Sequence, residues 1–145
     1  MRLFFLTSIL FFIVSSNLLA EDSVFDSVEY VRNYDGDTIV VNLKDVPSVF
    51  GDNLPVRLAG IDTAEINSKD DCEAQSAKES RDLVEFLLMF SQNINLKNIE
   101  RDKYFRVVAK VYVDGLDLSD FLLKRRLAVP YDGGTKKTID WCVLK

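Results

Sequence analysis

Val56-Arg57-Leu58-Ala59-Gly60-Ile61-Asp62-Thr63-Ala64-Glu65 opens as an apolar, strand-like run, meets a glycine, and sets a guanidinium, two carboxylates and a hydroxyl close together. A strand rises ~3.3 Å per residue, so Arg57 and Asp62 stand about 16 Å apart in an extended chain. They serve one site only if the chain turns, and Gly60 is where it turns at least steric cost. Upstream, Asp35-Gly36-Asp37-Thr38 offers a second acidic cluster on a turn; downstream, Asp102-Lys103-Tyr104-Phe105-Arg106 offers another arginine. Two arginines, two or three carboxylates and no histidine anywhere in the chain point to metal-assisted phosphodiester chemistry.

Working outward, residues 28–31 and 38–43 read as two strands joined through Asn33-Tyr34-Asp35-Gly36, since Asp-Gly is a strong hairpin signal. Ile39, Val41 and Leu43 share one face of the second strand. Residues 44–55, with two prolines, a glycine and Asn53, read as a loop, and residues 56–61 return as a third strand. Asp70, with Glu73 three residues on, is a helix start. Leu83, Phe86, Leu87 and Phe90 recur at helical spacing, predicting a long amphipathic helix over 72–90. Residues 94–99 form a fourth strand. In a fifth, Val107, Ala109, Val111 and Val113 share a face. Leu118, Phe121 and Leu122 begin a short second helix ending in Lys124-Arg125-Arg126, whose cations complement the helix's negative end. Five short strands interrupted by a long helix predict an α+β fold: a small five-stranded OB-type β-barrel with one long helix and one or two shorter ones, closure removing the exposed edges.

The 145 residues, 48% of them hydrophobic, suffice for one core and fall short of two ordinary domains. Residues 1–20 stand apart: Arg2 precedes an apolar run, and Leu18-Leu19-Ala20 ends on a small residue. This predicts a secretory signal cleaved after Ala20, followed by one domain over 21–145. The apolar core is shorter than the ~20 residues of a membrane span, so no stable membrane association is expected after cleavage. The product is exported, periplasmic or secreted. Losing Arg2 takes the formal charge from −5 to −6, the wrong sign for holding nucleic acid by bulk charge. Any phosphate site must be local, built from converging cations. Cys72 and Cys142, an even pair in an exported chain, read as one disulfide, contributing on the order of 4 kcal/mol in the chain-entropy account.

Each motif also has a plain structural use. Asp35-Gly36 can be only a hairpin turn, Asp62 to Glu65 a helix cap with its glutamate, and Arg57 or Arg106 an ordinary surface ion pair. Their co-occurrence in a fixed order says more. Asp-Gly-Asp-Thr, then Val-Arg-Leu-x-Gly-Ile-Asp-Thr-x-Glu, then Asp-Lys-Tyr-x-Arg-x-x-Ala, then Leu-Ala-x-x-Tyr closely resembles the staphylococcal (micrococcal) nuclease family, the thermonucleases, over roughly residues 28–131. Tyr131-Asp132-Gly133-Gly134-Thr135, Trp141-Cys142 and Cys72 resemble an exported bacterial subgroup. The resemblance implies a Ca²⁺-dependent hydrolase of DNA and RNA, a monomer that leaves 3′-phosphate ends. Asp37 and Asp62, with the backbone carbonyl of Thr63, match its metal ligands, and Glu65 its general base. Arg57 and Arg106 match the guanidiniums that grip the scissile phosphate, Lys103 and Tyr104 residues on a neighbouring phosphate, and Tyr131 a site tyrosine if one gap is allowed. Ala64 stands where the best-known members have proline, Phe105 replaces a glycine, and the loop over 44–55 is longer. A catalytically inactive OB-type nucleic-acid-binding module is the competing expectation, and a structural calcium-binding domain a third.

Overall fold

The computed structural model describes residues 24–26 and 28–144; the predicted signal segment over 1–20 lies outside them. Nine strands, β1 (Val24–Phe25), β2 (Val28–Asn33), β3 (Thr38–Leu43), β4 (Leu54–Leu58), β5 (Ile61–Thr63), β6 (Ile94–Arg101), β7 (Val107–Val113), β8 (Leu116–Asp117) and β9 (Ala128–Pro130), are accompanied by three helices among the described residues, α1 (Ser48–Gly51), α2 (Asp71–Met89) and α3 (Leu118–Lys124). The α+β expectation holds. The sheet, however, runs β1-β6-β7-β4-β3-β2 with β8 beside β7, and β5 pairs only with β9. β2 comes back against β6, so the mixed sheet curls on itself in keeping with an OB-like fold, with no ladder joining these two strands among the described residues.

The strand faces follow the side-chain period of two. Along β7, Val107, Ala109, Val111 and Val113 are all buried while the residues between them are only half-buried. They meet Ile39, Val41, Val56 and Leu58 of the neighbouring strands, and Leu118 and Leu122 of α3, in one apolar cluster. The run expected as one strand over 56–61 is two: Gly60, at φ +81, ends β4 and sends Ile61 into β5. Ahead of β2, β1 pairs with β6, and the loop expected over 44–55 contains α1.

Asp70 caps α2 by accepting from the Glu73 amide at 2.9 Å. The reciprocal half of a capping box is absent, because the Glu73 carboxylate turns away to accept from Ser68 Oγ at 2.6 Å and the Glu65 amide at 3.3 Å. The helix start thereby braces the segment that carries Glu65. Its buried face matches the expected one only in part: Leu83 and Leu87 pack against the core. Ala77, Ser80, Val84 and Leu88 are buried, whereas Phe86 and Phe90 are exposed and lie against each other at 4.9 Å between rings. Small residues win the inward face because the helix approaches closely: a methyl at Gly36 would come within 2.6 Å of Ser80 Cβ and 3.0 Å of Thr63 Cγ2. The first turn of α2 is joined to the C-terminal tail by a Cys72–Cys142 disulfide with 5.2 Å between Cα atoms, beside a small cluster of Ala64, Ala77 and Trp141.

Candidate active site

The β2–β3 turn separates two roles for its aspartates. Asp35 accepts from the amides of Asp37 (3.1 Å) and Thr38 (2.7 Å), which shapes the turn. Asp37, 4% exposed, faces inward. Thr38 pairs with Arg57 across β3 and β4, bringing the Arg57 guanidinium to the Asp37 carboxylate, Nη1 to Oδ1 at 2.7 Å. After the bend at Gly60 the chain returns, so that Arg57 Nη2 donates to Ile61 O at 3.0 Å and Asp62 Oδ1 at 2.9 Å. The Thr63 amide closes the set on Asp37 Oδ2 at 3.1 Å. The five-residue separation of Arg57 and Asp62 therefore becomes a direct ion pair, because the turn cancels the rise of the strand.

Arg57 is a buried ion-pair residue, not a surface one, with two carboxylates on one guanidinium. Burial and the neighbouring Asp35 carboxylate push Asp37 up to about 6, more than Arg57 and the Thr63 amide pull it down. Arg57 itself is raised: burial opposes its charge, but Asp37 and Asp62 outweigh that. Negative charge at Asp37 is thus under-compensated. The donors around it are oxygens, the set a hard cation takes, and an added cation would relieve the deficit. Asp37 and Asp62, both on Arg57, could hold an oxygen-ligated ion beside Thr63. Asp70, Cys72 and Cys142 also converge, but sulfurs joined in a disulfide supply no thiolate to a metal.

Asp37, Arg57, Glu65, Lys103, Tyr104 and Arg106 line one cleft of about 360 Å³, with Tyr131 at its edge. Glu65 is no part of a helix cap; it follows β5 in an exposed segment. The turn over 102–106 is organised by Asp102, whose Oδ1 accepts from the amides of Tyr104 (2.8 Å) and Arg106 (2.9 Å) and whose Oδ2 accepts from Arg106 Nε (2.7 Å). Desolvation is the largest single influence and opposes the Asp102 charge, but these bonds and the Arg106 charge together outweigh it and hold its pKa below the ordinary value. Phe105 occupies the left-handed region at φ +62, a conformation that disfavours a side chain by roughly 1–2 kcal/mol. Lys103 and Arg106 both lie over the Tyr104 ring, at 5.3 and 5.6 Å. Tyr131 arrives through β9, its amide on Gly60 O at 3.0 Å, and Arg57 lies 5.4 Å from its ring centre.

Lys136 is the site residue the sequence did not disclose. Its Nζ sits 3.0 Å from Asp62 Oδ1 and 2.6 Å from Glu65 Oε1. Burial works against the ammonium, but Glu65 and Asp62 prevail and its pKa is raised. The expected Cys72–Cys142 bridge said that the tail folds back, but nothing local ties Lys136 to a carboxylate 71 positions away.

Known proteins give the same picture. The family model for staphylococcal nuclease homologues matches residues 55–140. An SPbeta prophage-derived endonuclease of Bacillus subtilis (strain 168), YokF, is 35% identical over 115 residues, 72% of this chain and 35% of that protein. The chain thus spans about a third of the length of this curated relative.

Proposed function

Because the chain belongs to the staphylococcal nuclease homologues, we propose that it is a calcium-dependent nuclease that hydrolyses phosphodiester bonds of DNA and RNA. The observation that carries this reading is the convergence of Arg57, Arg106, Lys103 and Glu65 on a single cleft beside the Asp37–Asp62 pair. Held by Asp37, Asp62 and the Thr63 carbonyl, calcium would neutralise charge growing on the phosphoryl oxygens.

The chain's own residues divide the remaining work. Arg57 commits three of its five N–H donors to Asp37, Asp62 and Ile61, which leaves two for a phosphate in a fixed orientation. Arg106 commits only Nε and supplies a wider fork to the same group. Glu65 accepts the proton of the attacking water. The water oxygen bonds to phosphorus, the bond to the 5′ oxygen breaks, and that oxygen takes a proton from solvent. A 3′-phosphate and a 5′-hydroxyl result. Lys103, Tyr104 and Tyr131 hold the flanking strand. Lys136, half-exposed, yields Glu65 readily, since an exposed ion pair contributes only about 0–1 kcal/mol.

The enzyme works as an exported, monomeric single domain over 21–145. The basic-then-apolar start of the chain supports export, as does a disulfide, which persists in oxidising compartments. Among the described residues no helix is long and apolar enough to cross a membrane. With a net charge of −5 before processing, binding depends on the cleft and not on the protein's overall field.

The test is hydrolysis of single-stranded DNA in millimolar Ca²⁺, with chelator as control, by the parent and by Glu65→Gln. Turnover by the variant falls about 10²- to 10⁴-fold with its circular dichroism unchanged. A parent that binds the strand but never cleaves it would make this an inactive binding module instead.

A further inference from the structure

Phe105 combines two features that work against the free protein. Its backbone sits at φ +62, where glycine is at ease and a phenylalanine is not, and its ring is 79% exposed. The turn gives it no latitude. Its amide donates to Asp102 O at 2.9 Å, its carbonyl accepts from Arg101 Nη1 at 2.8 Å, and Asp102 clamps the residues on both sides. The neighbouring Tyr104 ring already has Lys103 and Arg106 over it. The Phe105 ring is therefore an open apolar face on a hydrogen-bonded turn that also carries Lys103 and Arg106, with Arg101 on the Phe105 carbonyl.

We propose that Phe105 is a base-stacking residue, taking an unpaired nucleobase of the strand whose phosphates lie along Lys103 and Arg106. This rests on the nuclease reading of the cleft and adds a contact to the strand outside it. The charge around the ring selects the occupant. A surface meant for an apolar protein partner has no need of three cations within the six residues 101–106, whereas a nucleic-acid strand presents an anionic backbone and a π-face within one nucleotide. Stacking also answers the acidic balance of the chain: phosphate contacts weaken steeply with salt, and a ring-on-base contact does not depend on charge. The hydrogen-bonded turn beneath the ring matters here, because a residue whose backbone is already ordered loses less freedom when a base settles on its side chain.

The experiment is equilibrium binding in chelator, by fluorescence anisotropy, of a short labelled oligothymidylate and of an abasic strand of the same length. The parent, Phe105→Gly, Phe105→Leu and Phe105→Trp are compared at two salt concentrations. Phe105→Gly weakens oligothymidylate binding by about 5- to 150-fold, the loss of one stacked base, by a similar factor at both salts. It leaves abasic binding unchanged. Phe105→Trp retains the affinity, and Phe105→Leu loses most of it. Phe105→Gly melts no lower than the parent, since glycine relieves the left-handed backbone, so a weakened variant is not an unfolded one. Equal affinity of parent and Phe105→Gly for oligothymidylate overturns the stacking role, as does an equal loss on both strands, which would trace to a displaced Arg106. Where the parent still cleaves DNA, either result leaves the nuclease reading standing. A parent that neither binds nor cleaves any strand ends both.

Discussion

Arg57 lies on β4 with 9% of its surface exposed and two carboxylates on its guanidinium, whereas Arg106 lies in the turn after β6, its side chain 43% exposed and its Nε on Asp102. Both face the same cleft. The first is positioned by three segments packed around it, the second by a single aspartate four residues away. A group held by packing is preorganised but cannot be altered without disturbing what holds it. A group held on an exposed turn can be changed at little cost to the fold. Identical side chains on one site are therefore expected to differ in what their loss does to stability.

The sharpest separation comes from Arg57→Ala. It leaves Asp37 and Asp62 without their shared cation, so stability falls by about 3–5 kcal/mol, the scale for breaking a buried pair, while turnover also drops about 10²- to 10³-fold. Chemical denaturation and single-stranded DNA hydrolysis on the folded fraction measure the two effects. An unchanged denaturation midpoint would break the contrast between the arginines. Arg106→Lys keeps the charge but loses the planar fork. It lowers turnover about 10²- to 10³-fold with stability within about 0.5 kcal/mol of the parent.

The pH response divides along the same line. Asp37, raised to about 6 by burial and Asp35, keeps a proton in the fold that the unfolded chain releases near pH 4. In chelator, stability consequently falls as pH rises through that window, by on the order of 1–3 kcal/mol. Thermal melts from pH 3.5 to 7 follow it, with Asp37→Asn as reference. If the difference between the two proteins does not change with pH, the buried wall is not under-compensated. Asp102, held low by Arg106 and the turn amides, has the opposite sign: its contribution is present at neutral pH and lost as pH falls. The smallest expected effect is that of Lys136→Ala. An ammonium 49% exposed removes less than about 1 kcal/mol, read as a shift in the melting temperature. A larger loss would place Lys136 with the buried wall.

Much of this frame was legible before any coordinates. The alternation along 107–113 and the cap at Asp70 are local, since each depends on residues a few positions apart. So is the bend at Gly60, although it divides one expected strand into two and starts β5. The periodicity of 83–90 held for Leu83 and Leu87, which pack against the core, and misled for Phe86 and Phe90. Counting large apolar residues favoured Phe86 and Phe90, while the close approach of Gly36 reserves the inner face for Ala77 and Ser80. Strand count likewise does not say whether the last ladder of the curled sheet forms.

The sequence by itself determined which residue types exist to serve the cleft, the turns that expose them, and the even cysteines that pair, because turn chemistry, side-chain period and charge are carried by neighbours in the chain. Only the tertiary structure decided that Asp37 and not Asp35 is the buried carboxylate, that β9 brings Tyr131 to Arg57, and that Lys136 reaches back to Asp62 and Glu65. Those outcomes turn on burial and on distances of 2.6 to 5.4 Å between residues far apart in the chain. Electrostatic and desolvation energies depend on separation in space, which sequence separation does not encode.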